Sequence, residues 1–417
     1  MSRPSLLFVS PRFLFPMDQG GKIRTGNILK GLKGGAFEVV LASPAPPDAA
    51  RHQAEIEAAC DRFLPWPQAP YSRLRRVAAL VSKLPVAAAT DRSPAGSHVV
   101  AQALEAKPAV VIADFPHADV LLPEPIHTAS VMFTHNVEAE IFERHAQRAR
   151  RGIWKFLWAD QARKMAALEQ SALSRYDTVI AVSARDRDVL AQRYDLEHVE
   201  AIDTGVDLDF FPAHPPEAAD DPGGDGGTLV FVATMTWAAN VEGIHFLLDE
   251  VWPRVTAVRP KLKAVIIGRN PPQALADKIR ERGLAVTLTG FVDDIRPYVA
   301  KANVYVIPLF VGSGTRIKAF EAMAMGRPVV STTLGIEGLH VTDGENFVRA
   351  DNAEEFASAI LRLLDDTPLR QRIAGAARQL MEDRFSWSTV ARQFESICLR
   401  TMERRRAEQP EATVVRR

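Results

Sequence analysis

The chain has 417 residues, 47% of them hydrophobic, and this size predicts about two globular domains. Lys plus Arg and Asp plus Glu number 51 each, so charge gives no reason to expect a nucleic-acid partner. Cys60 and Cys398 lack the spacing of a zinc or redox motif, which argues against a disulfide framework. No apolar run approaches the roughly 20 residues of a membrane-spanning helix, and the N-terminus shows no signal-peptide pattern. We therefore expect a cytoplasmic protein.

The first half of the chain alternates short apolar runs with helical patterns. Because the runs are rich in Val and Ile, this alternation indicates parallel βαβ units. The predicted strands are at 5–11, 37–43, 110–115, 130–136, 178–184 and 199–205. A stretch dense in Pro, Gly and Asp interrupts the pattern at 211–227, and such a composition is typical of a linker.

The alternation resumes after the linker. Strands are predicted at 228–234, 262–268, 286–292, 303–309 and 327–333. The predicted organisation is an N-terminal domain at 1–212, a linker at 213–227, a second domain at 228–385, a helix at 386–407 that starts after Ser386, and a disordered tail at 408–417. Both domains are expected to be doubly wound α/β units, which bind ligands beyond the carboxyl ends of their strands. The ligand site is therefore expected in one cleft between them.

The segment GSGTRIKAFEAMAMGRP, residues 312–328, carries the strongest local signal for a binding site. Gly312, Ser313 and Gly314 leave the backbone accessible to an anion, and Thr315 is a candidate N-cap for the helix that follows. A helix start of this kind presents unpaired N–H groups and the positive end of its dipole, which suits a phosphate. Gly326 is the candidate C′ residue of the same helix.

Charged side chains flank that helix start. Arg316 offers a charge-assisted fork to a phosphate, Lys318 adds a second cation, and the carboxylate of Glu321 suits sugar hydroxyls. A plain strand-to-helix turn, with Lys318 and Glu321 forming an i,i+3 pair on the surface, explains the same residues. Spacing alone leaves both interpretations open.

The whole chain resembles the GT-B glycosyltransferases, in particular the retaining family 4 and its polysaccharide or exopolysaccharide subgroup with a GSGTR-type donor loop. The segment at 308–339 resembles the donor-site signature of that family. Other similar segments follow in the family's order, at 16–32, 133–138, 182–190, 203–211, 231–253 and 290–308. The resemblance implies two Rossmann-like domains that face each other across a cleft. It also implies sugar transfer from a UDP- or GDP-sugar to a glycan or lipid-linked acceptor.

The resemblance also assigns roles in the donor loop. Glu321 matches the second carboxylate of the family's Glu-x7-Glu pair and would bind the nucleotide ribose. Ser313 stands where the first carboxylate is expected, which leaves the recognition of the donor sugar open. Relatives hold the diphosphate with an Arg and a Lys early in the second domain, but residues 231–242 contain no basic residue. We therefore expect Arg316 and Lys318 to supply this charge and to act as catalytic residues.

Further site residues follow from the same resemblance. Gly20 and Gly21 would face the transferred phosphate or sugar, although a Gly-Gly pair is also a plain tight turn. His135, at the carboxyl end of a strand, would contact the donor sugar as a catalytic residue, or serve as a structural hydrogen-bonding group. Asn136 and Glu138 would bind the acceptor or cap the next helix.

Residues at the carboxyl ends of two strands of the second domain would hold the base. Gly268 ends one strand, and Phe291 and Val292 follow another, with Phe291 either a wall of the base site or a core residue. The acidic triplets at 186–188 and 207–209 have the letters of a metal-binding motif. They are explained as well by a solvated helix and a linker strand. The family resemblance implies catalysis with neither metal nor cofactor, the nucleotide sugar being the donor substrate.

Other functions are compatible with parts of this pattern. A GT-B-type sugar-nucleotide 2-epimerase and a non-catalytic sugar-nucleotide-binding protein would share the fold and the phosphate site. An NAD-dependent dehydrogenase is disfavoured, because the loop after the first strand contains no GxGxxG motif.

Two basic amphipathic stretches in the first domain, at 71–84 and 148–164, suggest peripheral contact with an anionic membrane. The second contains Trp154, Phe156 and Trp158. The alternative is a pair of solvated helices whose aromatic side chains face the protein core.

Overall fold

A computed structural model describes residues 3–70, 72–148, 152–214, 226–235, 237–311 and 317–408. The chain forms two compact units. The first combines the chain up to Thr204 with the chain from Trp387 onward, and the second runs from Gly205 to Ser386. The division at Gly205 falls before the predicted domain end at 212, because residues 205–214 pack with the second unit. Val206 N, for example, donates to Phe385 O at 2.7 Å.

The first unit contains a parallel sheet of seven strands. The strands are β1 (Ser5–Val9), β2 (Glu38–Ala45), β3 (Arg62–Pro67), β4 (Val110–Asp114), β5 (Ala129–Phe133), β6 (Thr178–Ala181) and β7 (Val199–Ala201). Their spatial order is β3-β2-β1-β4-β5-β6-β7. The strand order runs outward in opposite directions from the adjacent strands β1 and β4, which makes the sheet doubly wound, as predicted.

Helices cover both faces of this sheet. They are α1 (Gly20–Leu32), α2 (Gln53–Ala59), α3 (Arg73–Ala79), α4 (Val86–Asp91), α5 (Pro94–Glu105), α6 (Glu138–Arg148), α7 (Ile153–Leu173), α8 (Ala184–Tyr194) and α16 (Trp387–Glu408), with 3-10 turns at Ala49–His52 and Pro116–Leu121. The last helix of the chain packs on this unit, since the ring of Phe394 lies 6.4 Å from that of Phe8 and 5.2 Å from that of Phe133.

Strand β3 was not predicted, because its sequence RFLPWP contains two prolines. Proline cannot donate to a β ladder and is tolerated only at the edge of a sheet. Strand β3 is an edge strand that pairs only with β2, which accounts for Pro65 and Pro67.

The second unit contains a parallel sheet of six strands in the order β10-β9-β8-β11-β12-β13. The strands are β8 (Thr228–Val232), β9 (Lys263–Ile267), β10 (Val286–Gly290), β11 (Val304–Ile307), β12 (Val329–Ser331) and β13 (Val348–Arg349). The five predicted strands are present, and the two-residue β13 is an addition. The prediction of two doubly wound parallel-sheet units is confirmed.

Helices flank this second sheet as well. They are α9 (Ala238–Phe246), α10 (Trp252–Thr256), α11 (Gln273–Glu281), α12 (Arg296–Val299), α13 (Ile317–Ala324), α14 (Ala353–Asp365) and α15 (Thr367–Leu380), with π-helical turns at Leu247–Val251 and Met381–Phe385 and a 3-10 turn at Leu334–Ile336. The core residues of β8, β9 and β11 alternate between two apolar clusters, one on each face of the sheet. This alternation follows from the two-residue period of a strand.

Cys60 and Cys398 are both buried and unpaired. Burial raises the pKa of the Cys60 thiol to about 11. None of the described helices is both long enough and apolar enough to cross a membrane.

Candidate functional site

A buried carboxylate lies at the carboxyl end of β4 in the first unit. Asp114 is fully buried. It accepts hydrogen bonds from Ser10 Oγ at 2.8 Å, Thr25 Oγ1 at 3.1 Å and His135 Nε2 at 2.7 Å. Three donors from β1, α1 and the end of β5 therefore converge on one side chain, as a buried charge requires. The edge of the sheet at which ligands of such folds bind is thus rigidly organised.

His135 has both ring nitrogens engaged by protein partners, and its side chain is only 2% exposed. The Arg24 guanidinium can only donate, so at 3.4 Å its Nη1 requires His135 Nδ1 to accept. The proton is therefore assigned to Nε2, which donates to Asp114. Burial lowers the pKa of His135, although the carboxylate of Asp114 opposes this effect. The imidazole is neutral, and a ligand would have to displace a partner to reach either nitrogen.

Arg24 lies on α1 with its charged group enclosed by protein. Its Nη2 donates to Thr204 Oγ1 at 2.8 Å, while its Nε is buried and has no hydrogen-bond partner. Burial lowers the pKa of Arg24 to about 10, against the opposing effect of Asp186 and Asp114. The guanidinium therefore remains charged at neutral pH and has one donor unused.

Phe115 forms the floor beneath the start of α1. Its ring stacks on His135 with 3.9 Å between centroids and on His117 with 5.0 Å. Its backbone has φ of 73°, a left-handed conformation that is strained for a bulky residue. A Cβ placed on Gly21 would lie 2.9 Å from Phe115 Cζ, whereas a Cβ on Gly20 would meet nothing within 4 Å. The two glycines predicted to act together thus differ: packing requires only Gly21.

His117 and Asp91 form a second buried polar pair beyond Phe115. The two side chains are 3.6 Å apart, and neither ring nitrogen of His117 has a hydrogen-bond partner. Burial lowers the pKa of His117 to about 3 and raises that of Asp91 to about 7. His117 is therefore a neutral, desolvated ring at physiological pH.

The predicted acceptor residues lie at the start of α6. Asn136 is exposed and its Nδ2 donates to Glu138 Oε1 at 3.4 Å. The first backbone N–H groups of α6, those of Glu138 and Ala139, instead donate to the buried carboxylate of Glu169 at 2.7 and 3.0 Å. The alternative that Asn136 and Glu138 cap the helix is therefore wrong for these N–H groups, since the two side chains contact each other instead.

In the second unit, α13 carries two ionisable side chains in surroundings that oppose their charges. Burial raises the pKa of Glu321 to about 7 and lowers that of Lys318 to about 8. The charge of each residue opposes these shifts, because it stabilises the charged form of the other. The hydroxyl of Tyr305, on the adjacent β11, is buried without a hydrogen-bond partner. Burial raises its pKa, and the negative charge of Glu321 raises it further. The side chains of Lys318 and Glu321 are both half-buried, which favours a binding site over the alternative of a fully solvated surface pair. They lie in a site where charge is costly without a ligand.

The end of α13 is fixed by its backbone. Gly326 adopts φ of 65°. Its N–H donates to Met323 O at 3.0 Å, and Arg327 N donates to Ala322 O at 3.0 Å. These two bonds form a Schellman motif, so Gly326 is the C′ residue predicted from the sequence. Five predicted site residues, Gly312, Ser313, Gly314, Thr315 and Arg316, lie outside the described residues.

The carboxyl ends of β9 and β10 lie side by side. Gly268 N donates to Gly290 O at 3.0 Å, and a Cβ on Gly268 would come within 1.7 Å of Ala233 O, so only glycine fits there. Phe291 is 59% exposed, and the guanidinium of Arg269 lies 4.4 Å above its ring. The core alternative for Phe291 is therefore wrong. Val292, by contrast, packs partly buried against the core.

An open depression adjoins the carboxyl ends of β11 and β12. It is lined by Leu309, Phe310, Thr332, Thr333, Leu334, Glu337 and Asp351. Asp351 accepts hydrogen bonds from Thr333 N and Thr333 Oγ1, both at 2.7 Å, which holds its carboxylate in place.

The two acidic triplets have structural roles in the described part of the chain. Asp207 accepts from the backbone N–H groups of Asp209 and Phe210, and Asp186 lies in the first turn of α8. Among the described residues, no group of three or more His, Cys, Asp or Glu side chains is placed to hold a metal ion.

Sequence reasoning missed the residues around His135. Asp114, Thr25 and Arg24 stand in ordinary strand and helix patterns, so no motif identified them. The available signal was positional, because Asp114 ends a strand and Arg24 lies one helical turn after Gly20 and Gly21.

Two family models match the chain. Residues 19–210 match the model described as Glycosyltransferase Family 4, and residues 226–366 match the model described as Glycosyl transferases group 1. Together these matches correspond to the two structural units, and each includes one of the clusters described above.

Curated relatives match over part of their length. The glycogen synthase of Mycobacterium tuberculosis is 27% identical over 263 residues, which are 61% of each chain. The phosphatidyl-myo-inositol mannosyltransferase of Mycobacterium leprae is 30% identical over 213 residues, 49% of this chain and 55% of that protein. The chain thus spans less than two thirds of the curated relatives it matches.

Solved structures share the fold along nearly the whole chain. Sucrose-phosphate synthase from Thermosynechococcus elongatus superposes with a TM-score of 0.63 at 17% identity, over 97% of this chain and all of that one. HepE from Anabaena, in complex with UDP and glucose, superposes with a TM-score of 0.59 at 18% identity, over 94% and 99%.

Proposed function

We propose that this chain, whose two domains are glycosyltransferase domains of the family 4 type, transfers a sugar from a nucleotide-diphosphate sugar to a glycan or lipid-linked acceptor. The observation that carries the proposal is the pair Lys318 and Glu321. Burial brings both pKa values close to neutral pH, because it lowers that of Lys318 and raises that of Glu321. A binding site is where such unfavourable charges are expected, because a ligand can compensate them.

The donor nucleotide binds to the second domain. Glu321 accepts hydrogen bonds from the ribose hydroxyls, and Lys318 neutralises the diphosphate together with Arg316 and the backbone of Gly312, Ser313, Gly314 and Thr315. The exposed ring of Phe291, backed by Arg269, stacks against the base. Gly268 lets the backbone approach closely beside it, and Val292 supports Phe291 from the core. UDP-sugars are the first candidates, since HepE was solved with UDP, and GDP-sugars are the second.

The first domain binds the acceptor. Asn136 and Glu138 offer an amide and a carboxylate to hydroxyl groups at the start of α6. His135 acts as a positioning residue, because both of its nitrogens are engaged. It orients Arg24, whose Nε–H is buried without a hydrogen-bond partner, so a phosphate or hydroxyl group reaches this donor only if the surrounding side chains move. Gly21 keeps the start of α1 open above Phe115, and Gly20 shares that helix start.

The proposed reaction breaks the bond between the anomeric carbon and the leaving phosphate oxygen, and forms a bond from that carbon to the acceptor oxygen on the same face. The acceptor proton passes to the departing diphosphate. Positive charge develops on the sugar, and negative charge develops on the diphosphate. Lys318 and Arg316 stabilise the latter.

The experiment is donor hydrolysis, with water as the acceptor. The full chain is incubated with UDP-glucose and with GDP-mannose, and nucleoside diphosphate release and the first anomer formed are followed by NMR. We expect release from one donor with retained configuration, strongly reduced in Glu321→Gln and unchanged in the control Glu354→Gln, at an exposed residue of α14. Release of the inverted anomer contradicts the retaining mechanism. Binding of both nucleotides without any release favours a non-catalytic binding protein.

A further inference from the structure

We propose that α3 with the residues after it, and the start of α7, form a surface that docks on an anionic lipid leaflet. We call it the docking surface and define it by the exposed residues at 73–83 and 154–156. The inference rests on this surface alone and does not depend on the proposed function.

The segment at 73–83 exposes an apolar stripe to solvent. Leu74 and Val77, on α3, have the i,i+3 spacing of one helix face, and Val81 lies in the turn that follows α3. Here they are 83%, 63% and 91% exposed. The apolar face has no partner among the described residues of the chain.

The start of α7 presents large aromatic side chains in the same way. Trp154 is 66% exposed and Phe156 is 72% exposed, whereas Trp158 packs on His145 with 4.6 Å between ring centroids. The expectation that the aromatic residues of this stretch face the core thus holds only for Trp158. Of the large hydrophobic side chains exposed in the described part of the first unit, all but Ile23 lie on the docking surface.

The two segments are joined. Lys164 Nζ, on α7, donates to Leu80 O at 2.7 Å, and Val86 N donates to Gln161 Oε1, also on α7, at 2.7 Å. The segment that follows α3 is therefore held against α7, about two to three helical turns beyond Trp154, so the two exposed apolar sets are carried by elements that contact each other.

The charges around this surface favour an anionic partner. The chain has no Asp or Glu at 62–90 or at 144–159. Exposed cations stand between the exposed apolar residues; they are Arg73, Arg75, Arg76, Lys83 and Lys155. The nearest acid along α7, Asp160, is paired with Arg163 and Lys164. Cations around Trp, Phe and Leu side chains suit the interface of an anionic leaflet, where the apolar groups insert and the cations meet phosphates.

The test is flotation of the full chain with phosphatidylcholine vesicles, with and without phosphatidylglycerol. We expect binding only to the anionic vesicles, and weaker binding as salt shortens the screening length. Trp154→Ser with Phe156→Ser should lower the partition coefficient about tenfold or more, since two large side chains leave the apolar phase. Val81→Ser should lower it less, and Val258→Ser, at an exposed valine of the second unit, should leave it unchanged.

Two results would overturn the proposal, and a third would contradict its assignment to these residues. One is the absence of binding to anionic vesicles at low salt by a chain that is folded by circular dichroism. The other is a concentration-dependent oligomer, seen by light scattering, that the Trp154→Ser variant dissociates, because this assigns the surface to a second copy of the chain. If the variants with Trp154→Ser and Phe156→Ser bind anionic vesicles as strongly as the parent does, these residues are not the ones that contact the membrane.

Discussion

His135 Nε2 donates a 2.7 Å hydrogen bond to Asp114 Oδ1, in a contact where both side chains are almost entirely buried. The opposite ring nitrogen accepts from Arg24. The histidine is therefore a neutral bridge between a carboxylate and a guanidinium, and its orientation determines where Arg24 points. A role in positioning follows from this geometry more directly than a role in proton transfer.

The two buried histidines should differ in what they contribute to stability. His135→Leu leaves Asp114 and Arg24 each short of a partner, and we expect a loss of roughly 2–4 kcal/mol in the free energy of unfolding. His117→Leu removes a ring whose nitrogens have no hydrogen bonds, so the change should stay within about 1 kcal/mol. Urea unfolding of both variants tests this, and equal losses would contradict the assigned network.

The adjacent glycines provide a matched pair. Gly21→Ala places a Cβ against Phe115, whose ring is held between two histidines, and such overpacking should cost roughly 1–3 kcal/mol. Gly20→Ala meets open space and should be neutral or slightly stabilising, because alanine is the better helix former. Thermal unfolding compares the two. A larger loss for Gly20→Ala would show that Phe115 does not restrict the start of α1.

Stability should depend on pH through Glu321. Its folded pKa of about 7 lies above the ordinary value of 4.5 for a glutamate, so the folded state holds a proton that the unfolded state has released. The contribution is present below pH 4.5 and is lost as pH rises toward 7, by roughly 3 kcal/mol at most. The stability of the parent relative to Glu321→Gln should therefore fall between pH 4.5 and 7. A constant difference would contradict the burial of this carboxylate.

Lys318 should act in the opposite sense at higher pH. Its folded pKa of about 8 lies below the ordinary value of 10.5 for a lysine, so folding costs free energy while the lysine is charged. Stability relative to Lys318→Met should rise as pH increases from about 8 to 10.5. Urea unfolding across this window measures the difference. A fall in relative stability over the same window would contradict the desolvation of Lys318.

Ligand affinity should depend on pH through the ionisation of Glu321 and Lys318. A nucleoside needs ionised Glu321 for its ribose, so uridine affinity should rise as pH passes about 7 and then level off. UDP also needs charged Lys318 for its diphosphate, so its affinity should fall again above about pH 8. Calorimetric titrations of both ligands compare the profiles. Identical profiles for uridine and UDP would exclude Lys318 from the diphosphate site.

The sequence predicted the fold well because the strands are apolar, rich in Val and Ile and separated by helical patterns. It missed β3, whose prolines are acceptable only at a sheet edge, and β13, which has two residues. For the candidate site, the family resemblance predicted roles for Glu321 and His135. It did not identify Asp114 or Arg24, because their roles depend on contacts between residues far apart in the chain. The amphipathic pattern at 71–84, by contrast, indicated a surface stretch, and Leu74, Val77 and Val81 there face solvent.

The central claim is that the second domain binds a nucleoside diphosphate through Glu321. Isothermal titration calorimetry of UDP and GDP tests it most directly, with the parent chain, Glu321→Gln and the control Glu354→Gln. The account predicts that one nucleotide binds the parent and the control equally, and that Glu321→Gln weakens its affinity by about tenfold or more, the loss of a charge-assisted hydrogen bond. Binding that is unchanged in Glu321→Gln, or absent from the parent for both nucleotides, would contradict it.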